Sequence, residues 1–175
     1  MHRIPATFVA LALVACATPE PEETPLEGPG FDAETGELVA KGETFIVGLT
    51  HLQVRNLPGP GGRFGDHANA VGDHLFENEP EGWLGAAFRN VGRLNWWTMT
   101  VWESEEAMLR FVVSEPHAQA VADFWDITVG GEHQAYEATR EELPVQWSRG
   151  MELLLESNDT VVLGDSKWFA NGGEL

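Results

Sequence analysis

Basic residues are scarce in this sequence of 175 residues. Lysine and arginine together number 10, against 28 aspartates and glutamates, so the formal net charge is −18 at pH 7. A nucleic-acid partner is therefore not expected, because phosphates are neutralised by clustered cationic side chains. The excess of acid favours solubility and disfavours charge-driven binding to anionic lipid headgroups. The sequence also lacks a G-x-S-x-G, Walker or dinucleotide-binding motif, which leaves those enzyme classes unsupported.

Cysteine occurs once, at Cys16, and a single cysteine cannot form an internal disulfide. Residues 1–15 combine a short basic start with an apolar run of twelve residues, which is typical of a signal peptide and short for a membrane-spanning helix. The run ends in Leu-Val-Ala-Cys, which resembles the lipobox of bacterial lipoproteins. The alternative is an ordinary signal peptide with an incidental cysteine.

The lipobox resemblance implies that Cys16 becomes the acylated N-terminus and anchors the chain to a membrane of the bacterial cell envelope. Ala17 follows the cysteine, where lipoproteins retained in the inner membrane carry Asp. The resemblance therefore implies the outer membrane. Residues 16–42 are rich in proline and glutamate, which predicts a solvated tether that contributes nothing to a core.

A globular domain is expected over 43–153, followed by a C-terminal extension over 154–175. Its apolar patterns predict a β-α-β-β-α-β order, which is the ferredoxin-like α+β fold with the helices on one face of the sheet. Strands are expected over 44–54, 83–89, 94–102 and 143–153, a first helix over 64–76 after a loop at 57–62, a chain break at 129–133 and a short helix over 134–142.

The second helix is predicted to start after Ser104, whose hydroxyl can accept from an unpaired backbone amide. Pro116 ends or kinks this helix, and 114–116 have the composition of a new helix start. The run Val-Trp-Glu-Ser-Glu-Glu at 101–106, followed by an apolar Phe and a later His, resembles the dimeric α/β-barrel superfamily, which includes antibiotic-biosynthesis-monooxygenase-like domains. The resemblance implies a homodimer formed by pairing of exposed sheet faces.

His117 is the predicted catalytic residue, because a side chain after the Pro116 break can point into a cleft. A neutral imidazole there could orient or deprotonate a phenol or an enol. The alternative is that His117 caps a helix or hydrogen-bonds a nearby backbone group. In the heme-degrading branch of the superfamily a Trp and a His lie on the second helix, but the matching positions hold Phe111 and Val121. Heme is therefore disfavoured, and no cofactor is expected.

The candidate ligand-binding residues are aromatic or cationic and lie at strand ends or on the second helix: His51, Arg89, Trp97, Trp102 and Phe111. The tryptophans serve either as core and dimer interface or as a flat wall for an aromatic ligand. Strand alternation places Trp97 on the face opposite Trp102. Arg89 is interpreted either as a contact for an anionic substrate group or as a partner in a surface salt bridge.

No pair of histidines has the spacing or the carboxylate neighbours of a zinc site, so no metal is predicted. Two functions of different class follow. One is a lipid-anchored, monooxygenase-like enzyme that oxidises a small aromatic or hydrophobic molecule without a cofactor. The other is a non-catalytic ligand-binding or structural lipoprotein on the same fold.

Overall fold

The computed structural model describes residues 24–56, 58–92 and 94–164. The signal segment, Cys16 and the last part of the C-terminal extension lie outside the described residues. Within the described ranges the elements are β1 (Thr44–Val54), α1 (Pro58–Asn78), β2 (Trp83–Val91), β3 (Asn95–Trp102), α2 (Glu105–Val112), α3 (Glu115–Ala122), α4 (Phe124–Ile127), β4 (Thr128–Thr139), a 3-10 turn (Arg140–Glu142), α5 (Trp147–Glu156) and β5 (Val161–Gly164). None of the helices in these ranges is both long and apolar enough to cross a membrane.

The five strands form one antiparallel sheet in the order β2-β3-β1-β4-β5, with β1 at its centre. Helices α1, α2 and α4 pack on one face through side chains such as Leu75, Phe111 and Ile127, and α3 packs against α1. This arrangement confirms the predicted α+β, ferredoxin-like fold. The predicted bounds of β1 are also confirmed.

The start of the second helix is confirmed in detail. The hydroxyl of Ser104 accepts a hydrogen bond of 3.2 Å from the backbone N–H of Ala107, and two glutamates occupy the first turn, where the helix dipole favours anions. The new helix start predicted at 114–116 is also confirmed, because α3 begins after Ser114 with a proline in its first turn. The first helix is longer than predicted, because the proline- and glycine-rich residues expected to form a loop begin α1 at Pro58.

The C-terminal third of the domain differs from the prediction. The expected strand over 143–153 is wrong, since these residues lead into α5, and the expected break and helix over 129–142 are instead β4 and the 3-10 turn. Gly131 explains the strand, because a Cβ there would collide with the carbonyl oxygen of His51 on the neighbouring strand. A glycine in β4 therefore allows close pairing with β1 rather than ending the chain segment.

Helix α5 covers the sheet face opposite α1 to α4. Its buried residues Trp147, Gly150 and Leu154 follow a helical spacing, and a Cβ on Gly150 would meet Leu49 and Met99 of the sheet at 3.1 and 3.3 Å. This face, on which the homodimer is predicted to pair, is therefore covered by the chain's own helix α5. The homodimer stays a prediction, but an exposed sheet face is not available to drive it.

Residues 26–40, here called the N-terminal strap, run along the edge of β2. Leu26 and Phe31 are 5% and 6% exposed and belong to the core on the α5 side of the sheet. The backbone N–H of Gly30 donates to the carbonyl of Leu84 at 2.7 Å, and Glu27 forms a bridge with Ala86. The prediction that this segment contributes nothing to the core is wrong for the strap.

Close backbone contact explains why the strap fits. A Cβ on Gly28 would lie 2.5 Å from the Cα of Gly85, and a Cβ on Gly85 would lie 2.7 Å from the ring of Phe31. Arg140 fixes the other end, because its guanidinium donates to the backbone carbonyls of Ala40 and Gly42. The strap is thus held at both ends and also covers part of the exposed edge of the sheet.

Candidate functional site

The sheet divides the predicted site residues into two groups. His51, Trp97 and Arg89 lie on the face beneath α5, because Trp97 is paired with His51 on β1 and with Arg89 on β2. Trp102 and Phe111 pack together on the helical face, and His117 contacts Phe111 there. The opposite placement of Trp97 and Trp102 confirms the alternation predicted for β3.

The first group contains a buried ion-pairing contact. Nδ1 of His51 lies 2.5 Å from Oε2 of Glu132. The two residues are directly paired across strands β1 and β4. Neither side chain is exposed to solvent. Because a carboxylate oxygen can only accept, Nδ1 carries the hydrogen of this bond, and the acid fixes the orientation of the imidazole ring.

The other side of the His51 ring faces Asn95. Its Nε2 lies 3.1 Å from Oδ1 of Asn95, which is half-buried at the start of β3. The indole of Trp97 packs against the imidazole with ring centroids 4.2 Å apart. The nitrogen that is not bonded to Glu132 therefore points towards the partly exposed side of the group.

Four side chains form a row across the sheet, here called the transverse row: Arg89, Trp97, His51 and Glu132, from β2, β3, β1 and β4. The row has a cation at one end and a carboxylate at the other. Among the described residues, Nη1 of Arg89 and Oε1 of Glu132 are buried without a hydrogen-bond partner. Burying such groups is costly unless they are paired, so both ends of the row have unused bonding capacity.

The neighbours of the row on β4 are also polar. Gln134 is buried, and its Oε1 lies 3.4 Å from the hydroxyl of Thr160. Burial, followed by repulsion from Glu142, raises the pKa of Tyr136 to about 12. The phenol of Tyr136, four residues from Glu132 along β4, therefore stays protonated near neutral pH.

The second group is packed around Phe111. The ring centroid of Phe111 lies 5.0 Å from that of Trp102 and 5.0 Å from that of His117. Nδ1 of His117 donates to the carbonyl of Val112 at 3.0 Å, which satisfies one of the unpaired carbonyls at the end of α2. Burial lowers the pKa of His117, and the nearby His133 lowers it further, against the raising effect of the Val112 contact. This geometry matches the helix-capping alternative for His117.

No three histidine, cysteine, aspartate or glutamate side chains converge on a common point in the described part of the chain. The sequence indicated His51 and Arg89 as ligand-binding candidates but missed Glu132 and Asn95. Glu132 is 81 residues from His51, and the glycines before it are typical of a loop. The cue that could have found it is a strand register that pairs β4 with β1, which local patterns do not provide.

No family model matches the chain, and no curated protein does either. Solved structures with some likeness include SnoaB, a cofactor-independent oxygenase from Streptomyces nogalater, with 12% identity and a TM-score of 0.43 over 59% of this chain and 99% of that one. A protein provisionally named an antibiotic biosynthesis monooxygenase, from Caulobacter crescentus CB15, has 13% identity and a TM-score of 0.47 over 55% of this chain and 91% of that one. A conserved protein from Methanosarcina mazei Go1 has 12% identity and a TM-score of 0.46 over 54% and 92%. Likeness this distant carries no information about activity.

Proposed function

We propose that this chain is a lipid-anchored envelope protein whose domain oxidises a small, weakly acidic aromatic molecule without a cofactor. The observation that carries the proposal is the buried hydrogen bond between Nδ1 of His51 and Oε2 of Glu132. A histidine held in this way by a carboxylate is a strong general base, because the acid fixes the tautomer and stabilises the imidazolium that forms. His51 and Glu132 take the place of His117 as the proposed centre.

The nitrogen that exchanges the proton is Nε2 of His51. With Oδ1 of Asn95 as its neighbour, Nε2 donates and the ring is an imidazolium. With the amide of Asn95 rotated, its NH₂ group donates to a neutral Nε2 instead, since the two amide atoms are interchangeable in such assignments. The two arrangements differ by one proton, which is the proton that the base takes from the substrate.

Removal of a proton from a phenol, an enol or an activated CH₂ group leaves an electron-rich anion that reacts with O₂. For a CH₂ group, one oxygen atom becomes the carbonyl oxygen of the product, and the other leaves as water with both hydrogens. The atoms and electrons balance without an added reductant. The indole of Trp97 is buried against the imidazole of the base.

The helical face favours the second function, a non-catalytic ligand-binding or structural lipoprotein. There the ring of Phe111 fills the space between Trp102 and His117, and His117 bonds the backbone. A protein with no reaction at the transverse row would retain this packing and show no dependence on His51.

Oxygen uptake with anthrone, a tricyclic ketone with an acidic CH₂ group, tests the enzyme. We expect His51→Gln to lower the rate by about 10²–10⁴-fold, the usual contribution of a general base. His117→Gln is the matched control and should keep the rate per folded molecule. Uptake that falls with His117→Gln and not with His51→Gln would overturn the assignment, and no uptake above the buffer rate would favour the non-catalytic function.

A further inference from the structure

We infer that Asn158 is an acceptor for N-linked glycosylation, the attachment of an oligosaccharide to a side-chain amide of an exported protein. The inference rests on one part of the proposed function, the export of the chain to the cell envelope. It is independent of the proposed oxidation. The residues around Asn158 and their place in the fold carry it.

The sequence around Asn158 has the form of an acceptor. Residues 156–160 read Glu-Ser-Asn-Asp-Thr. The asparagine is followed by a residue other than proline and then by a threonine, which is the acceptor pattern of exported proteins. The chain has seven asparagines, and the other six lack a serine or threonine two positions later. Glu156 is a further match, because bacterial oligosaccharyltransferases favour an acidic residue two positions before the asparagine.

The fold presents this stretch at the surface, in the turn that joins α5 to β5. Helix α5 ends at Glu156, and β5 begins at Val161. Asn158 and Asp159 are both exposed. The hydroxyl of Ser157 accepts a hydrogen bond of 3.0 Å from the backbone N–H of Asp159, so a bond within the turn itself shapes it. A large enzyme can therefore reach the acceptor amide in the folded domain.

The acceptor must also leave its turn and enter the enzyme as an extended segment, and the neighbouring strand makes this opening inexpensive. β5 is four residues long, lies at the edge of the sheet and is paired with β4. Val161 and Val162 are each 44% exposed, and short elements with few buried contacts open at a much lower free energy than the core. The hydroxyl of Thr160 lies 3.4 Å from Oε1 of Gln134, a long contact whose loss costs little.

The covalent step needs one co-reactant, an oligosaccharide joined through a diphosphate to a lipid of the membrane that an exported chain crosses. Nδ2 of Asn158 forms a bond to the anomeric carbon of the first sugar. The bond between that carbon and the diphosphate oxygen breaks, and the lipid diphosphate leaves with the electron pair. The amide nitrogen loses one proton to a carboxylate of the enzyme. Nothing is oxidised or reduced.

Mass spectrometry of the full-length gene product, purified from the envelope of its native host, tests the inference. We expect a mass increase of several sugar residues on the peptide that contains Asn158. Asn158→Gln should abolish the increase. Thr160→Val should also abolish it, because valine keeps the shape of threonine without its hydroxyl, whereas Thr160→Ser should retain it. Asn69→Gln is the matched control, since Asn69 is also exposed but is followed by Ala-Val, and it should leave the increase unchanged.

An exported chain without added sugar would overturn the inference, and so would sugar that persists in Asn158→Gln or in Thr160→Val. Misfolding of a variant does not imitate the expected losses, because an unfolded chain exposes the acceptor more fully. The intact mass also reports export. A chain that keeps residues 1–15 would overturn both this inference and the proposed envelope location, while oxygen uptake by the same protein tests the oxidation separately.

Discussion

The imidazole of His51 and the carboxylate of Glu132 are joined by a 2.5 Å hydrogen bond on the sheet face that α5 covers, and neither side chain is exposed. Two ionisable groups in such a place are poor sources of stability, because desolvation offsets most of their attraction. A pair of apolar side chains would serve the core as well. We propose that the pair serves a ligand, and its energetics can be measured apart from any activity.

A double-mutant cycle tests this coupling. His51→Leu leaves the carboxylate of Glu132 buried without its partner and should lower the free energy of unfolding by about 3–5 kcal/mol. Glu132→Met leaves a neutral imidazole nitrogen unpaired and should cost about 1–3 kcal/mol. The double variant should cost less than the sum of the two, as urea denaturation would show.

The matched control for that cycle is the half-exposed pair between Nε2 of His67 and Oδ2 of Asp123, which are 3.0 Å apart. Its coupling energy should stay below about 1 kcal/mol, as for other solvent-accessible pairs. Additive costs for His51 and Glu132 would contradict a bonded pair in the core.

The close packing of the strap on β2 leads us to expect that one added methyl group lowers the free energy of unfolding. Gly85→Ala would place a Cβ 2.7 Å from the ring of Phe31, so we expect a loss of about 1–3 kcal/mol in the free energy of unfolding. Gly72→Ala in α1 is the control, since its Cβ meets nothing within 4 Å and should stabilise the helix by up to about 1 kcal/mol. Equal effects at the two sites would mean that Phe31 does not pack on β2.

His117 predicts a pH dependence of stability. Burial lowers its pKa below the usual 6.5, so the unfolded chain binds the proton more readily than the folded one. The stabilising contribution of the neutral form is fully present above pH 6.5 and is lost as the pH falls through 6.5 towards the lowered pKa. His117→Gln can still donate to the carbonyl of Val112 and should flatten this decline in melts between pH 7.5 and 5. An unchanged decline would assign it to other groups.

The lipobox resemblance at Cys16 predicts where the protein is found in the cell. Cys16→Ser should abolish labelling by a fatty-acid probe and release the chain from the membrane fraction, because the lipid supplies the anchor. Membrane fractionation followed by immunoblotting measures both. A variant that stays with the membranes would contradict the lipobox interpretation.

The predicted homodimer now requires another surface. Leu109 and Val113 are 50% and 75% exposed and line a shallow groove on α2, away from the covered sheet face. If copies of the chain pair there, Val113→Glu should convert a dimer into a monomer in light scattering, whereas Val39→Glu on the strap should not. A dimer that survives Val113→Glu would exclude this surface.

The sequence predicts the first half of the domain well because its signals are local. Buried and less buried side chains alternate along β1. Ser104 followed by two glutamates is a local signal for the start of a helix. The segment containing Val145, Trp147 and Met151 is ambiguous, because its apolar residues fit a period of 2 as well as a helical period. Contact with Leu49 and Met99 decides in favour of the helix, and that contact is not local.

In the candidate site, too, features set by local sequence are predictable and those set by contacts between distant residues are not. Alternation predicts that Trp97 and Trp102 face opposite sides, and the structure agrees. The partnership of His51 with Glu132 depends on the register between β1 and β4, which is set by the whole sheet. The sequence predicts a catalytic role for His117 because the residue follows a proline, whereas its hydrogen bond to Val112 becomes evident only in three dimensions.

If Cys16 is acylated, the strap also limits how far the domain can move from the membrane. Leu26 is fixed in the core and lies ten residues after Cys16. A fully extended chain of that length reaches about 35 Å, which is the largest distance between Cys16 and the core. With such an anchor, the domain stays close to the lipid surface and diffuses laterally along it. An aromatic molecule dissolved in the bilayer would then be met at its concentration in the lipid, which for an apolar compound far exceeds its concentration in water.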